Sequence, residues 1–455
     1  MKNYFILLLV LCSCRMTVAQ SFEGSWKGSL VVSAMELPLI FEFKYNGVWE
    51  GTMQSPMQSN AKIPLSRIEN RGDSIFVELK QAGLSYKGKL NQDRNAIEGT
   101  FQQRTLKAPM VLTRLSAAQA EAAGTFKRSQ RVKPPYSYDT LNVNFENTID
   151  KVTLAGTMTS PKEKGRYPAV VLVTGSGPQD RNSTALGHEP FKVLADYLTK
   201  QGIIVLRYDD RGIAQSTGKY QTATTGDFGK DALAGLQFLR KQAKVDPNKV
   251  GIVGHSEGGL ISLILAGQHV AGLDFIVSLN GPAIRIDSLM IMQAEAVERS
   301  MGRTLTPAMK EKVLRNYEIA KSDLTTEKAF QAIMSNMKVI EGSQNVAFAD
   351  EIGVLVTPWY RHFLKIDPVQ FIKKIKVPVF ASFGGKDIQV IAVPNMESMT
   401  DNLPKGTKSE IKIYPDLNHM NQHANTGAVA EYAEIEETIS PELMEDVANW
   451  IKGLK

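Results

Sequence analysis

A serine set among glycines, Gly254-His255-Ser256-Glu257-Gly258-Gly259, is the strongest chemical signal in this chain. The apolar run Val250 to Val253 leads into it, and the helix-forming segment Leu260 to Gln268 follows. A strand that turns straight into a helix crowds its own backbone. Gly254 and Gly258 relieve that crowding, and Gly259 lets helix and sheet approach. Ser256 then stands at a helix N-terminus, where the dipole favours a developing anion. A serine hydroxyl is a poor nucleophile until a base takes its proton. Of the six histidines, His362, His419 and His423 lie far enough beyond Ser256 to be candidates. His419 sits in the loop Pro415-Asp416-Leu417-Asn418-His419, directly after the strand-like run Glu410 to Tyr414. Asp387 follows another run, Val377 to Phe383, through Gly384-Gly385-Lys386. A carboxylate there can accept the imidazole N–H, fix its tautomer and stabilise the imidazolium. The order nucleophile, acid, base is the expected one for such a strand–turn–helix site. His423 lies four residues further on, in the polar run Asn421 to Gly427, and reads as a solvated loop histidine.

Acyl transfer also needs donors for the oxyanion. Thr174-Gly175-Ser176-Gly177-Pro178 follows the buried run Ala169 to Thr174. The backbone N–H groups of Ser176 and Glu257 are the expected pair, with Gly177 as the neighbouring alternative to Ser176. Ser176 is not expected to be the nucleophile, because Gly-Pro and not a helix follows it. Such chemistry requires no cofactor and no metal.

These residues need a sheet to hold them. After Asp139 come apolar runs without alternation: Ala169 to Thr174, Ile203 to Tyr208, Val250 to Val253, Phe275 to Leu279, Val377 to Phe383 and Glu410 to Tyr414. Helical patterns separate them, at Phe191 to Gln201, Phe228 to Gln242 and Leu260 to Gln268. This alternation predicts an α/β fold with a doubly wound, mainly parallel sheet, which carries its site at the carboxyl ends of its strands. Residues of about 288–366 lack strand-like runs and contain Met290, Met292, Met301, Met309, Met334 and Met337. A stretch that long reads as a helical insertion leaving the sheet after Phe275 to Leu279, placed to cap the site. The methionines fit an adaptable apolar wall and ordinary helical core equally well.

Residues 20–115 have another texture. Short alternating runs such as Leu39 to Phe43, Ser74 to Leu79 and Ala96 to Phe101 are separated by turn signals such as Tyr45-Asn46-Gly47 and Arg71-Gly72-Asp73. They predict a small antiparallel β-barrel-like domain of roughly eight strands. Nothing in it looks catalytic; Trp26 and Trp49 fit the lining of a ligand cavity, although core packing is the commoner fate of such aromatics. Residues 116–138 form the expected linker, a short helix over Ser116 to Ala123 and then an extended stretch with Pro134-Pro135, leaving 139–455 to the α/β domain.

The chain has 455 residues, 43% hydrophobic and 22% charged, as befits a folded protein of more than one domain. Residues 1–19 read as an export signal: Lys2, the apolar run Tyr4 to Leu11, and small residues before a cut after Ala19. A periplasmic or extracellular protein is therefore expected. The weaker alternative is a lipoprotein anchored through Cys14. The run is too short to span a bilayer, and no transmembrane segment is expected elsewhere. The formal net charge of +6 falls to +4 once Lys2 and Arg15 leave. The remaining basic residues are scattered, which argues against a nucleic-acid partner. Both cysteines, Cys12 and Cys14, lie in the signal, so the mature protein has neither disulfide nor cysteine nucleophile.

About residues 135 to 455 resemble the bacterial serine carboxylesterases of the EstD type, in the α/β-hydrolase superfamily. The motifs that carry the likeness are Gly175-Ser176-Gly177-Pro178-Gln179-Asp180-Arg181, Tyr208-Asp209-Asp210-Arg211-Gly212, Gly254 to Gly259, Asn418-His419 and the tail Tyr432 to Pro441. One departure is Ala214, where the family usually has glycine. The resemblance implies a small-molecule ester substrate, short acyl chains, and Ser256, Asp387 and His419 as the triad. Two rivals stand beside it. One is a peptidase of the prolyl-oligopeptidase type, whose propeller the residues before the linker are too few to build. The other is a ligand-binding protein with a vestigial hydrolase domain, which the complete triad disfavours.

Overall fold

A computed structural model describes residues 22–32, 35–56, 61–103, 106–123, 127–338 and 352–454. The export signal, with Cys12 and Cys14, lies outside the described residues, as do residues 339–351 of the insertion. The chain divides into two compact units, Met1–Lys127 and Arg128–Lys455.

In the first unit, nine antiparallel strands run among the described residues: β1 (Gly24–Val32), β2 (Met35–Tyr45), β3 (Trp49–Gln54), β4 (Ile63–Pro64), β5 (Arg67–Arg71), β6 (Ser74–Leu79), β7 (Leu84–Leu90), β8 (Ala96–Gln103) and β9 (Leu106–Leu115). They form one sheet in the order β4-β3-β2-β1-β9-β8-β7-β6-β5. Leu65 bonds to the Gly51 carbonyl and Ser66 to that of Glu78, so the sheet curls until its two edges nearly meet. Alternation explains the curl: Ile75, Val77, Leu79, Leu84 and Tyr86 all face inward, and their burial is the driving force. Side chains fill the interior. Tyr86 is fully buried with its hydroxyl on the Ile97 carbonyl (2.8 Å), and Gly88 and Gly99 are small because a Cβ at either would touch its ring. Trp26 is core as well, its indole N–H donating to Phe22 O (2.8 Å).

The second unit holds β10 (Asp139–Asn147), β11 (Val152–Ser160), β12 (Tyr167–Val173), β13 (Ile204–Tyr208), β14 (Val245–His255), β15 (Phe275–Leu279), β16 (Val379–Gly384) and β17 (Glu410–Tyr414), ordered β10-β11-β13-β12-β14-β15-β16-β17. From β13 onward neighbours are parallel, whereas β10 and β11 form an antiparallel hairpin that joins β13 antiparallel. Every residue of β13, β15 and β16 is buried, the mark of a sheet covered on both faces. Along β12, Ala169, Val171 and Val173 join one core and Val170 and Leu172 the other. Helices Thr225–Arg240 and Glu257–Gly267 cover the first face; Pro190–Lys200 and Pro441–Gly453 cover the second. The stretch from Arg128, read as linker, is bound to this unit: the Gln130 side chain pairs with the backbone of Thr438 and Ile439.

Between β15 and β16 the insertion forms helices Ile286–Ser300, Pro307–Lys321, Thr326–Met337 and Pro358–Phe363. Small cores of its own, such as Ile291 with Tyr317, Tyr360 and Leu364, hold it together.

Candidate active site

Ser256 sits between β14 and the helix Glu257–Gly267 with φ 54° and ψ −117°, a strained conformation for a residue with a Cβ. The surroundings enforce it. A Cβ on Gly254 would lie 2.0 Å from Gly258 O, one on Gly258 2.1 Å from Val173 O, and one on Gly259 2.7 Å from Gly281 Cα. The three glycines of the motif are thus each required by close backbone packing. The Ser256 N–H donates to Leu279 O (2.9 Å), pinning the turn to the end of β15.

Past β16, Asp387 is buried, and its Oδ1 accepts the N–H groups of Gln389 (2.7 Å) and Val390 (2.8 Å). Its Oδ2 accepts from His419 Nδ1 at 2.7 Å, which leaves Nε2 as the imidazole's free acceptor. Ser256 and His419 line one cavity of about 410 Å³. His423 instead faces Glu437 (2.9 Å) with its side chain half exposed.

Several positioning residues were not legible in the sequence. His255 donates from Nε2 to the His419 carbonyl (2.8 Å), and its ring packs 4.9 Å from that of His419. Burial holds its pKa at about 4, so it stays neutral and serves as a fixed donor. Asn280 donates from Nδ2 to His419 O (3.0 Å) and Asn421 Oδ1 (3.0 Å), while its Oδ1 accepts the Gly384 N–H (2.8 Å). One amide thereby ties the ends of β15 and β16 to the histidine loop.

The Glu257 side chain is also unexpected. Fully buried, its carboxyl collects Thr225 Oγ1 (2.7 Å), the indole N–H of Trp359 (2.9 Å) and the Ser176 hydroxyl. Burial raises its pKa despite those donors. Asp210 lies near it, pushed up to about 7 by burial, and accepts from Thr174 Oγ1 (2.7 Å) and Gln179 N (2.9 Å). The carboxyl of Glu257 therefore joins the Gly175–Pro178 loop, the turn and the insertion. In that loop Ser176 and Gly177 both line the cavity.

The insertion covers the site. Leu289, Met290 and Gln293 from its first helix, and Trp359 and Phe363 from its last, line the cavity. Of the methionines singled out in it, Met290 lines the cavity; Met309 is exposed, and Met334 and Met337 pack inside the insertion.

The tail closes the histidine loop from behind. Gln422 bonds through Nε2 to the Glu437 carbonyl (2.8 Å), and the buried His188 meets Thr438 Oγ1 (2.9 Å) and Tyr432 O (3.0 Å). Burial first, then Arg128, lowers the His188 pKa to about 4. From pH 6.5 down to 4 the unfolded chain binds a proton that folded His188 refuses, so this group's contribution to stability is lost over that window. Its slope has an upper bound of about 1.4 kcal/mol per pH unit. His188→Gln should flatten the fall in melting temperature between pH 6.5 and 4, measured by scanning calorimetry. Parallel curves for variant and wild type would contradict this reading.

Fold and site together define a serine hydrolase of the α/β-hydrolase class. The chain belongs to the family described as serine aminopeptidase, S33, whose model matches residues 189–423. That span contains Ser256, Asp387 and His419. The chain is 26% identical over 309 residues to the esterase EstD of Thermotoga maritima, covering 67% of each protein. It is 21% identical over 263 residues to dipeptidyl-peptidase 5 of Porphyromonas endodontalis, covering 56% of this chain and 30% of that protein's length. Among solved structures, an esterase of Pyrococcus furiosus aligns with TM-score 0.44 and 17% identity over 72% of this chain and 97% of that one. A Pseudomonas aeruginosa protein aligns with TM-score 0.47 and 14% identity over 72% and 98%.

Proposed function

We propose that this protein is a serine carboxylesterase that hydrolyses short-chain acyl esters through an acyl-enzyme on Ser256. His419 Nε2 takes the Ser256 proton as Oγ attacks the ester carbonyl, and Asp387 holds the imidazole's Nδ1–H. The oxyanion is received by the N–H groups of Ser176 and Glu257. His419 then protonates the departing alcohol, and water, activated by the same imidazole, releases the acid and restores Ser256.

One observation carries the ester reading against a peptidase one. Among the described residues, no Asp, Glu, Lys or Arg lines the cavity around Ser256. The substrate of an aminopeptidase or dipeptidyl peptidase carries a free ammonium, and holding it in a cavity favours a carboxylate partner. The walls here are apolar (Leu289, Met290, Trp359, Phe363) with neutral amides (Gln293, Gln389), which suit an uncharged ester. Nitrophenyl acetate and butyrate should be turned over rapidly, and aminoacyl and dipeptidyl nitroanilides at no more than background. Faster cleavage of the anilides would overturn the ester reading and favour the peptidase. We also infer export to the periplasm or beyond, supported by Lys2, the apolar run Tyr4 to Leu11 and Thr17-Val18-Ala19.

A further inference from the structure

A second cavity, of about 460 Å³, lies between the helices Thr225–Arg240 and Glu257–Gly267 and the segment from His362 to Phe371. It shares no lining residue with the cavity around Ser256. Its size falls within the range of small-molecule sites. Its walls are aliphatic and aromatic, from Leu233, Ile261, Ile264, Leu265, Ile366 and Phe371.

Two features point to an occupant. The first is Gly229, inside the helix Thr225–Arg240, where glycine is unfavourable relative to alanine. Nothing in the packing demands it: a Cβ there would meet nothing nearer than Ile261 at 3.9 Å. Gly235 in the same helix is different, since a Cβ would press on Val171 at 3.2 Å. What Gly229 supplies is open space on the cavity wall. The second feature is charge. The acidic and basic residues that line the cavity are Lys230, Lys365 and His362; the two lysines are cationic, and burial lowers the His362 pKa. Lys230 is engaged by Asp150 (3.1 Å) and Asp227 (2.9 Å). Lys365 makes no ion pair with any described residue, and neither the Gln268 nor the Gln370 side chain is hydrogen-bonded to one. An apolar chamber with one uncommitted cation and two amides at its rim matches a ligand with a hydrocarbon tail and an anionic head.

We propose that this cavity binds a medium-chain fatty acid, its chain against Ile261, Ile264 and Phe371 and its carboxylate on Lys365. The site stands apart from Ser256 and does not depend on which ester the enzyme hydrolyses. Its wall nevertheless includes Thr225, whose hydroxyl reaches Glu257 beside the nucleophile, so an occupant lies one side chain from the catalytic turn.

The test is calorimetric titration of the full-length protein with decanoate, and with decylammonium as the charge-reversed control. Decanoate binds wild type, and decylammonium binds at least about tenfold more weakly. Gly229→Leu fills the chamber and Lys365→Glu reverses the charge at its mouth. Each should weaken decanoate at least about tenfold while leaving ester turnover near wild type. Lys365 is exposed, so its substitution remains informative even where Gly229→Leu fails to fold. Absence of decanoate binding to wild type would overturn the proposal. So would equal binding of decylammonium, or wild-type affinity in Lys365→Glu; that last result would move the fatty acid to the catalytic cavity or the surface.

Discussion

Ser256→Ala is expected to yield a folded protein whose ester turnover has dropped by roughly five to six orders of magnitude. Folding should survive because the strain at position 256 belongs to the backbone. Alanine meets the φ of 54° with the same Cβ that serine carries. The contacts that shape the turn, the close approach of Gly254 to Gly258 and the Ser256 N–H bond to Leu279 O, involve no atom that the substitution removes. What disappears is the hydroxyl, and with it the only route to an acyl-enzyme in this reading. Circular dichroism and melting temperature should match wild type while turnover of nitrophenyl butyrate vanishes. A folded variant that kept more than a trace of activity would remove Ser256 from its role.

The second large effect separates two histidines four residues apart. His419→Ala should be nearly as inactive as Ser256→Ala, since a base and its nucleophile act as a unit. His423→Ala should stay within about tenfold of wild type, the scale of an indirect perturbation. The geometry makes the contrast sharp. His419 Nδ1 is 2.7 Å from a buried carboxylate, and its backbone is held by His255 and Asn280. His423 hydrogen-bonds Glu437 at the surface, where an exposed contact of this kind contributes little. Turnover of both variants on one short-chain ester decides the matter. The reverse ranking would make His423 the base and leave the Asp387–His419 bond without a catalytic meaning.

How much of this could be read beforehand depended on the range of the signal. β13, β15 and β16 are buried on both faces, so their unbroken apolar runs stand out from any background. The hairpin β10–β11 does not: Asn142, Asn144, Glu146, Thr153 and Thr157 give it the polarity of an edge, and it escaped notice. In the first unit, β3, β5 and β7 give weak signals because Gly51, Asn70 and Gly88 put no apolar side chain at an inward position, although the texture as a whole predicts the curled sheet. Ser256, Asp387 and His419 could be picked out because each follows a strand, a local fact about the chain. Asn280 acts on a residue 139 positions away, and Trp359 reaches Glu257 across 102. No local pattern announces such contacts; they exist only once the sheet has brought its loops together. The side chain of Glu257 was overlooked for another reason. Its backbone N–H is the part the proposed oxyanion site uses, and nothing in the motif shows that its carboxyl turns inward.

The most direct test of the account is covalent. The intact, full-length enzyme is treated with a fluorophosphonate until esterase activity is gone, digested, and mapped by mass spectrometry. The account requires a single adduct, on the peptide containing Gly254-His255-Ser256-Glu257-Gly258, with loss of activity in proportion to labelling and no labelling of Ser256→Ala. An adduct on Ser176 or any other residue that tracks the loss of activity, or an active enzyme that the reagent neither labels nor inhibits, would contradict it.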